Sequence, residues 1–207
     1  MDLSVWLALV ALFFAGGLTP GPAVMMVMST SLRYRAPTAL IPALGISAAN
    51  LVWISLAAAG LAAFAARFPA VLIGLKIAGV CFIAWLAWTI ATSDPHRPRA
   101  RASDAPPKHA LFMRGVGLQL LNPNALVFFG LLLPSYFNVD RAVVPQALIM
   151  MATITACEMF GLTVYAWLAD LMNHRFQSPR FTLWFNRCAA LAMLASAVFA
   201  ALMTTAR

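Results

Sequence analysis

Long apolar stretches alternate with short polar ones along this chain. Six can be drawn, over Leu3–Leu32, Ala39–Ala66, Ala70–Thr92, Leu111–Phe137, Ala142–Leu171 and Phe181–Thr204. Each is long enough to cross the roughly 30 Å hydrocarbon core of a bilayer as a helix. Within the third, Val71–Trp88 is interrupted by one charge, Lys76, close enough to the outer surface to snorkel. No period-two alternation suggests a barrel, and isolated strands would leave backbone groups unpaired in lipid, so helices are expected. No Lys or Arg precedes Arg33, so the basic region of a cleaved signal is missing and the first stretch reads as a retained helix.

One segment departs from the pattern. Ser93–His109 carries four prolines, four basic residues and two aspartates, and reads as a disordered loop. It divides the chain into a first three-helix repeat (residues 1–92), a basic cytosolic linker (93–110) and a second three-helix repeat (111–207). The fold class is therefore an all-α integral membrane protein of six transmembrane helices. An odd number of spans per half inverts the second copy across the membrane.

Composition agrees. The chain is 63% hydrophobic and 10% charged, against about a quarter charged for a soluble domain, so the excess apolar surface needs lipid. The net charge of +8 would suggest nucleic acid in a soluble protein. Here the basic residues sit in loops too short to build a groove, and nucleic acid is not an expected partner. Ten of the fourteen Lys and Arg follow spans one, three and five: Arg33, Arg35, Arg97, Arg99, Arg101, Lys108, Arg114, Arg175, Arg180 and Arg187. That bias puts the odd-numbered loops in the cytosol and both termini outside. Cys81, Cys157 and Cys188 are solitary, which argues against a disulfide relay or a metal site; each reads as a small buried hydrophobe. No metal and no cofactor are expected.

The chemistry lies where the spans are broken. Span one contains Thr19-Pro20-Gly21-Pro22 and span four Asn122-Pro123-Asn124-Ala125, half the chain length apart. Thr and Asn are favoured N-caps, and proline suits the first helical position because its missing N–H costs nothing there. Thr19-Pro20 and Asn122-Pro123 are thus expected to restart helices inside the bilayer and to present two positive helix ends to one place. An anionic group such as an amino acid's carboxylate is the natural ligand. The N–H groups of Gly21, Ala23, Asn124 and Ala125 are candidates to hold it; Gly21 lets backbone approach closely, while Pro20 and Pro22 withdraw donors. The plainer reading is that both prolines kink packed helices.

Glu158 is the one acidic residue in a span interior. A carboxyl there is expensive and functional by default, as a proton carrier or as partner to a substrate ammonium; the plainer reading is a protonated acid bonded between helices. Asn50, mid-span, could contact ligand or join helices. Asn186 and Arg187 read as interfacial, and Gly45 with Ala49 and Gly74 with Ala78 as close-packing faces.

These motifs are similar to those of the lysine exporter (LysE/RhtB) family of bacterial amino-acid exporters. The likeness runs over essentially the whole length. It rests on Thr19-Pro20-Gly21-Pro22, Gly45-Ile46-Ser47, Leu75-Lys76-Ile77-Ala78-Gly79, and Asn122-Pro123-Asn124-Ala125 followed by Phe128-Phe129 and Pro134. The resemblance implies a six-helix exporter of the bacterial inner membrane with extracytoplasmic termini, working against proton motive force and often dimeric. It also implies an amino-acid-like substrate. Where the family usually has lysine this chain has Asn124, and where it often has an acid this chain has Asn50, which leaves Glu158 as the candidate proton carrier. Competing classes are a metal-ion or other cation transporter, a membrane thiol–disulfide enzyme, and a non-transporting assembly subunit. The first would want several intramembrane carboxylates, the second paired cysteines, and the third would not need two matched broken helices.

Overall fold

The computed structural model describes residues 1–17, 21–60, 67, 69–92, 105–138, 140–175 and 179–203. Among these residues every regular element is helical and no strand occurs. In chain order they are α1 (Leu3–Gly17), α2 (Pro22–Tyr34), α3 (Ala36–Ala58), α4 (Pro69–Ala91), α5 (Lys108–Leu120), α6 (Pro123–Val127), α7 (Val143–Arg175) and α8 (Pro179–Met203). α6 runs on through a wide π turn, Phe128–Leu132, and a 3-10 turn, Leu133–Tyr136.

Ala36–Ala58 and Val143–Met172 are each long and apolar enough to cross a membrane. Lys108–Leu120 and Pro123–Tyr136, bent by 51° at their junction, make a third if taken as one span. Shorter apolar stretches occupy Leu3–Phe14, Ile77–Ala91 and Leu183–Ala195. Large apolar side chains point outward along these helices, among them Leu44, Leu51 and Leu56 on α3 and Val144, Leu148 and Leu171 on α7. Such surface would drive association in water and suits a lipid environment.

Several element boundaries differ from the sequence expectation. The second helix begins at Ala36 and ends at Ala58, where Gly60 turns the chain with a φ of 91°; residues 61–66, expected to continue it, lie outside the described residues. A left-handed φ just past a helix end is glycine's usual role. Lys108 to Ala110, read as linker, form the first turn of α5, while 93–104 lie outside the described residues. α2 and α3 meet at Arg35 alone, whose φ of 79° is the one positive value among the described non-glycine residues. The strained turn is pinned by Arg35 N–H donating to the Ser31 carbonyl at 2.8 Å.

Close approach of backbones organises the centre. Gly45 of α3 lies against the Phe112 carbonyl of α5, and Gly115 of α5 against the Pro42 carbonyl of α3; a Cβ at either would overlap that oxygen. Gly79 of α4 likewise meets the carbonyl of Leu121, the residue before the Asn122–Pro123 break. Gly74, expected on a packing face, has open space beside it. α1 lies along α7, where Trp6 Nε1 donates to Thr153 Oγ1 at 3.0 Å and Phe14 stacks on Phe160 at 5.9 Å. Cys81 and Cys188, expected to be buried, are exposed on the outer face, and Asn186, expected at an interface, is buried. The side chain of Lys76 lies outside the described residues.

Candidate functional site

The second helix break forms as its sequence predicts. Asn122 is the N-cap of α6, Pro123 occupies the first helical position, and Asn122 Oδ1 accepts from the Asn124 N–H at 3.0 Å. Asn124, expected to offer a free N–H, therefore has it engaged. The first break resumes two residues later than expected. α2 starts at Pro22, and the cap is Gly21 in an extended conformation with no side chain to satisfy the first N–H groups. Thr19 and Pro20 lie outside the described residues. A Cβ at Gly21 would meet nothing within 4 Å, so the position is open.

Glu158 sits near the middle of α7 and faces α3. Ser47 and Asn50, three residues apart and so on one face of α3, both reach its Oε2. Ser47 Oγ donates at 3.1 Å and Asn50 Nδ2 at 2.7 Å. Asn50 is 1% exposed, and an amide so buried must use both of its ends. Its Oδ1 accepts from Gln119 Nε2 at 2.6 Å, and Gln119 Oε1 accepts from Asn122 Nδ2 at 3.4 Å. A head-to-tail chain of hydrogen bonds thus runs from the Asn124 N–H at the break to the carboxyl of Glu158. Trp53, one turn beyond Asn50 on α3, donates from Nε1 to the Gln119 carbonyl at 3.1 Å. The same carbonyl, in the last turn of α5, also accepts from the Asn122 N–H at 3.3 Å.

Of the residues proposed from sequence, Asn50, Asn122, Asn124 and Glu158 are joined in this chain, with Pro123 and Ala125 buried beside it. Among the described residues the chain does not extend to Gly21 or Pro22. Gln119 and a bonding role for Ser47 were missed. The local signal for Gln119 was its spacing, three residues before Asn122 and so on the same helical face. Two buried hydroxyls, Ser29 Oγ on α2 and Thr155 Oγ1 one turn before Glu158, lack a hydrogen-bond partner. Buried polar groups are rarely left so, and Thr155 offers a donor and an acceptor near the carboxyl. No group of three or more His, Cys, Asp or Glu within reach of one metal ion occurs among the described residues.

The chain is 27% identical over 195 residues to an uncharacterized membrane protein of Vibrio cholerae, covering 90% of this chain and 91% of that one. It is 26% identical over 204 residues to the homoserine/homoserine lactone efflux protein of Salmonella typhimurium, covering 97% and 98%. A leucine efflux protein of Enterobacter sp. is 26% identical over 152 residues, 73% of this chain and 72% of its own. No solved structure matches significantly. The family model described as LysE type translocator matches residues 14–204, a range holding the described part of both breaks, Gln119 and Glu158, and the chain therefore belongs to the LysE type translocator family.

Proposed function

We propose that this protein exports amino acids or related small carboxylate-bearing metabolites across the bacterial inner membrane, by exchange for protons. The observation that carries the reading is the carboxyl of Glu158, held by Ser47 and Asn50 between apolar helices in a chain of this family. Relatives named as efflux proteins for homoserine, leucine and threonine support an amino-acid substrate. A carboxyl inside a membrane domain is a natural place to exchange a proton or to meet an ammonium group. Thr19, Pro20, Gly21, Pro22, Asn50, Asn122, Pro123, Asn124 and Ala125 are the proposed substrate-binding set, with Glu158 as the proton-coupling residue. The open backbone at Gly21 supports close approach of a carboxylate to the start of α2. The partner-free hydroxyl of Thr155 suits a polar ligand near Glu158.

The architecture that goes with this reading is two inverted three-helix repeats, with cytosolic odd-numbered loops and both termini outside. Its support is pairwise: α1 runs parallel beside α7, with Trp6 at Thr153 and Phe14 at Phe160, and α5 runs with α3, with Gly115 at Pro42 and Gln119 at Asn50. An inverted repeat makes those two pairs equivalent, because span one beside span five maps onto span four beside span two. A homodimer is the proposed assembly.

Efflux of a labelled amino acid and of its amide from preloaded vesicles tests the substrate reading. The amide, which lacks the carboxylate, should leave poorly. Gly21→Leu, whose Cβ would meet nothing within 4 Å among the described residues, should abolish export by filling the ligand's space. Equal efflux of both compounds, or normal export by the variant, would defeat the carboxylate mechanism.

A further inference from the structure

A peptide N–H can only donate a hydrogen bond, whereas a side-chain amide can present either its oxygen or its NH2 group. The Asn124 N–H therefore sets the direction of everything coupled to it. It takes Asn122 Oδ1, which leaves Asn122 Nδ2 for Gln119 Oε1. Gln119 then has only Nε2 for the Asn50 oxygen, and Asn50 has only Nδ2 for Glu158. Trp53 fixes the Gln119 backbone from the α3 side. An amide that turned over alone would set oxygen against oxygen at one end and NH2 against NH2 at the other. In an apolar interior neither clash is relieved by water, so the amides keep one direction as a unit.

We propose that Gln119 and Asn122 are positioning residues for export, which pass the donor polarity of the helix break to Asn50 so that an N–H faces Glu158. The break thereby acts at a distance on the carboxyl, in addition to ending and restarting a helix. This rests on the export reading above, in particular on Glu158 as the exchanging carboxyl. Few other groups compete for control of it. Of the helices packed on α7, α1 and α3 carry no ionisable side chain, and α2 carries Arg33 and Tyr34 only in its last turn. α8, whose Phe185 packs on the apolar cluster that α2, α3 and α7 share, carries Arg180, Arg187 and Cys188. On α7 itself the other described ionisable side chains are Cys157, Tyr165 and Asp170, and at its N-terminal end Arg141 pairs with Asp2.

The two tasks of Asn122 can be separated. Asp caps a helix as well as Asn does, but an aspartate has no N–H to give Gln119. Efflux of a labelled amino acid from proteoliposomes is to be followed across pH for wild type, Asn122→Asp, Gln119→Met and Glu158→Gln, with thermal stability measured alongside. Asn122→Asp keeps the cap and should still insert and fold, with some loss of stability for a carboxyl at a site only 6% exposed. Both it and Gln119→Met should shift half-maximal export to about ten- to hundredfold lower proton concentration, the worth of roughly one hydrogen bond to a carboxylate. A wild-type profile in Asn122→Asp overturns the proposal and leaves helix capping as its task. If one variant fails to insert, the profile of the other decides. Efflux by the wild type that ignores pH, or a wild-type profile in Glu158→Gln, defeats the role of Glu158 in export and this proposal with it, whereas the amide comparison above would still stand.

Discussion

Gly45 and Gly115 hold α3 and α5 together reciprocally, each pressed on a carbonyl of the other's helix. The hydrogen bonds that Gln119 donates to Asn50 and accepts from Trp53 bridge this same pair of helices, so the polar chain depends on how closely the two backbones approach.

Adding one methyl at either glycine should separate the helices. Gly45→Ala and Gly115→Ala are each expected to cost about 1–3 kcal/mol, the usual penalty of overpacking. Gly74→Ala, with open space beside it, should be neutral or slightly stabilising, as Ala favours helix over Gly. Thermal unfolding in detergent would show this order, and equal melting of all three would refute it.

Glu158→Gln should insert normally yet lose or uncouple export, because an amide cannot exchange a proton. Expression and melting should remain near wild type, since Ser47 and Asn50 can still donate to the amide oxygen. Wild-type transport with unchanged pH dependence would return Glu158 to a purely structural role.

Orientation can be tested with reporter fusions. A reporter at Ala102 should lie in the cytosol and one at Arg207 outside, as the distribution of Lys and Arg implies. A cytosolic C-terminus would remove the odd span count and the inverted repeat with it.

Two side chains near one loop should behave oppositely. Gln146, 2% exposed, donates to the carbonyls of Asn138, Arg141 and Ala142 and accepts from the Asn138 N–H. Gln146→Leu would leave the half-buried Asn138 N–H without this partner, at up to about 1–3 kcal/mol. Arg141 pairs with Asp2 at 2.8 Å, but both are about half exposed (51% and 50%). Solvent screening holds such a pair to below about 1 kcal/mol. Chemical denaturation of Gln146→Leu and Arg141→Ala would check the contrast.

What could be read from the sequence was whatever is local. Hydropathy marks the apolar stretches, because lipid demands long uncharged runs. Asn122-Pro123 announces its own cap, because cap and proline act within one turn. At Thr19-Pro20-Gly21-Pro22 two prolines compete for the first helical position, and the second takes it with glycine as cap. The links from Asn50 to Glu158 and to Gln119 span 108 and 69 positions. No local spacing encodes such pairings, so Gln119 looked like an ordinary polar residue near a helix end.

The bond between Trp6 and Thr153 joins residues 147 positions apart, which bears on how the protein is assembled. The first helix leaves the ribosome long before its partner exists. Until α7 is made, the Trp6 indole N–H has no Thr153 to meet, and α1 has only the partners made before α7, α3 among them. Its composition tolerates this, since Leu3–Gly17 contains no ionisable residue and Leu3, Leu7 and Phe14 remain exposed even in the finished fold. Insertion and association are then separate stages for this helix. A chain halted before α7 would carry α1 without the hydroxyl to which Trp6 bonds.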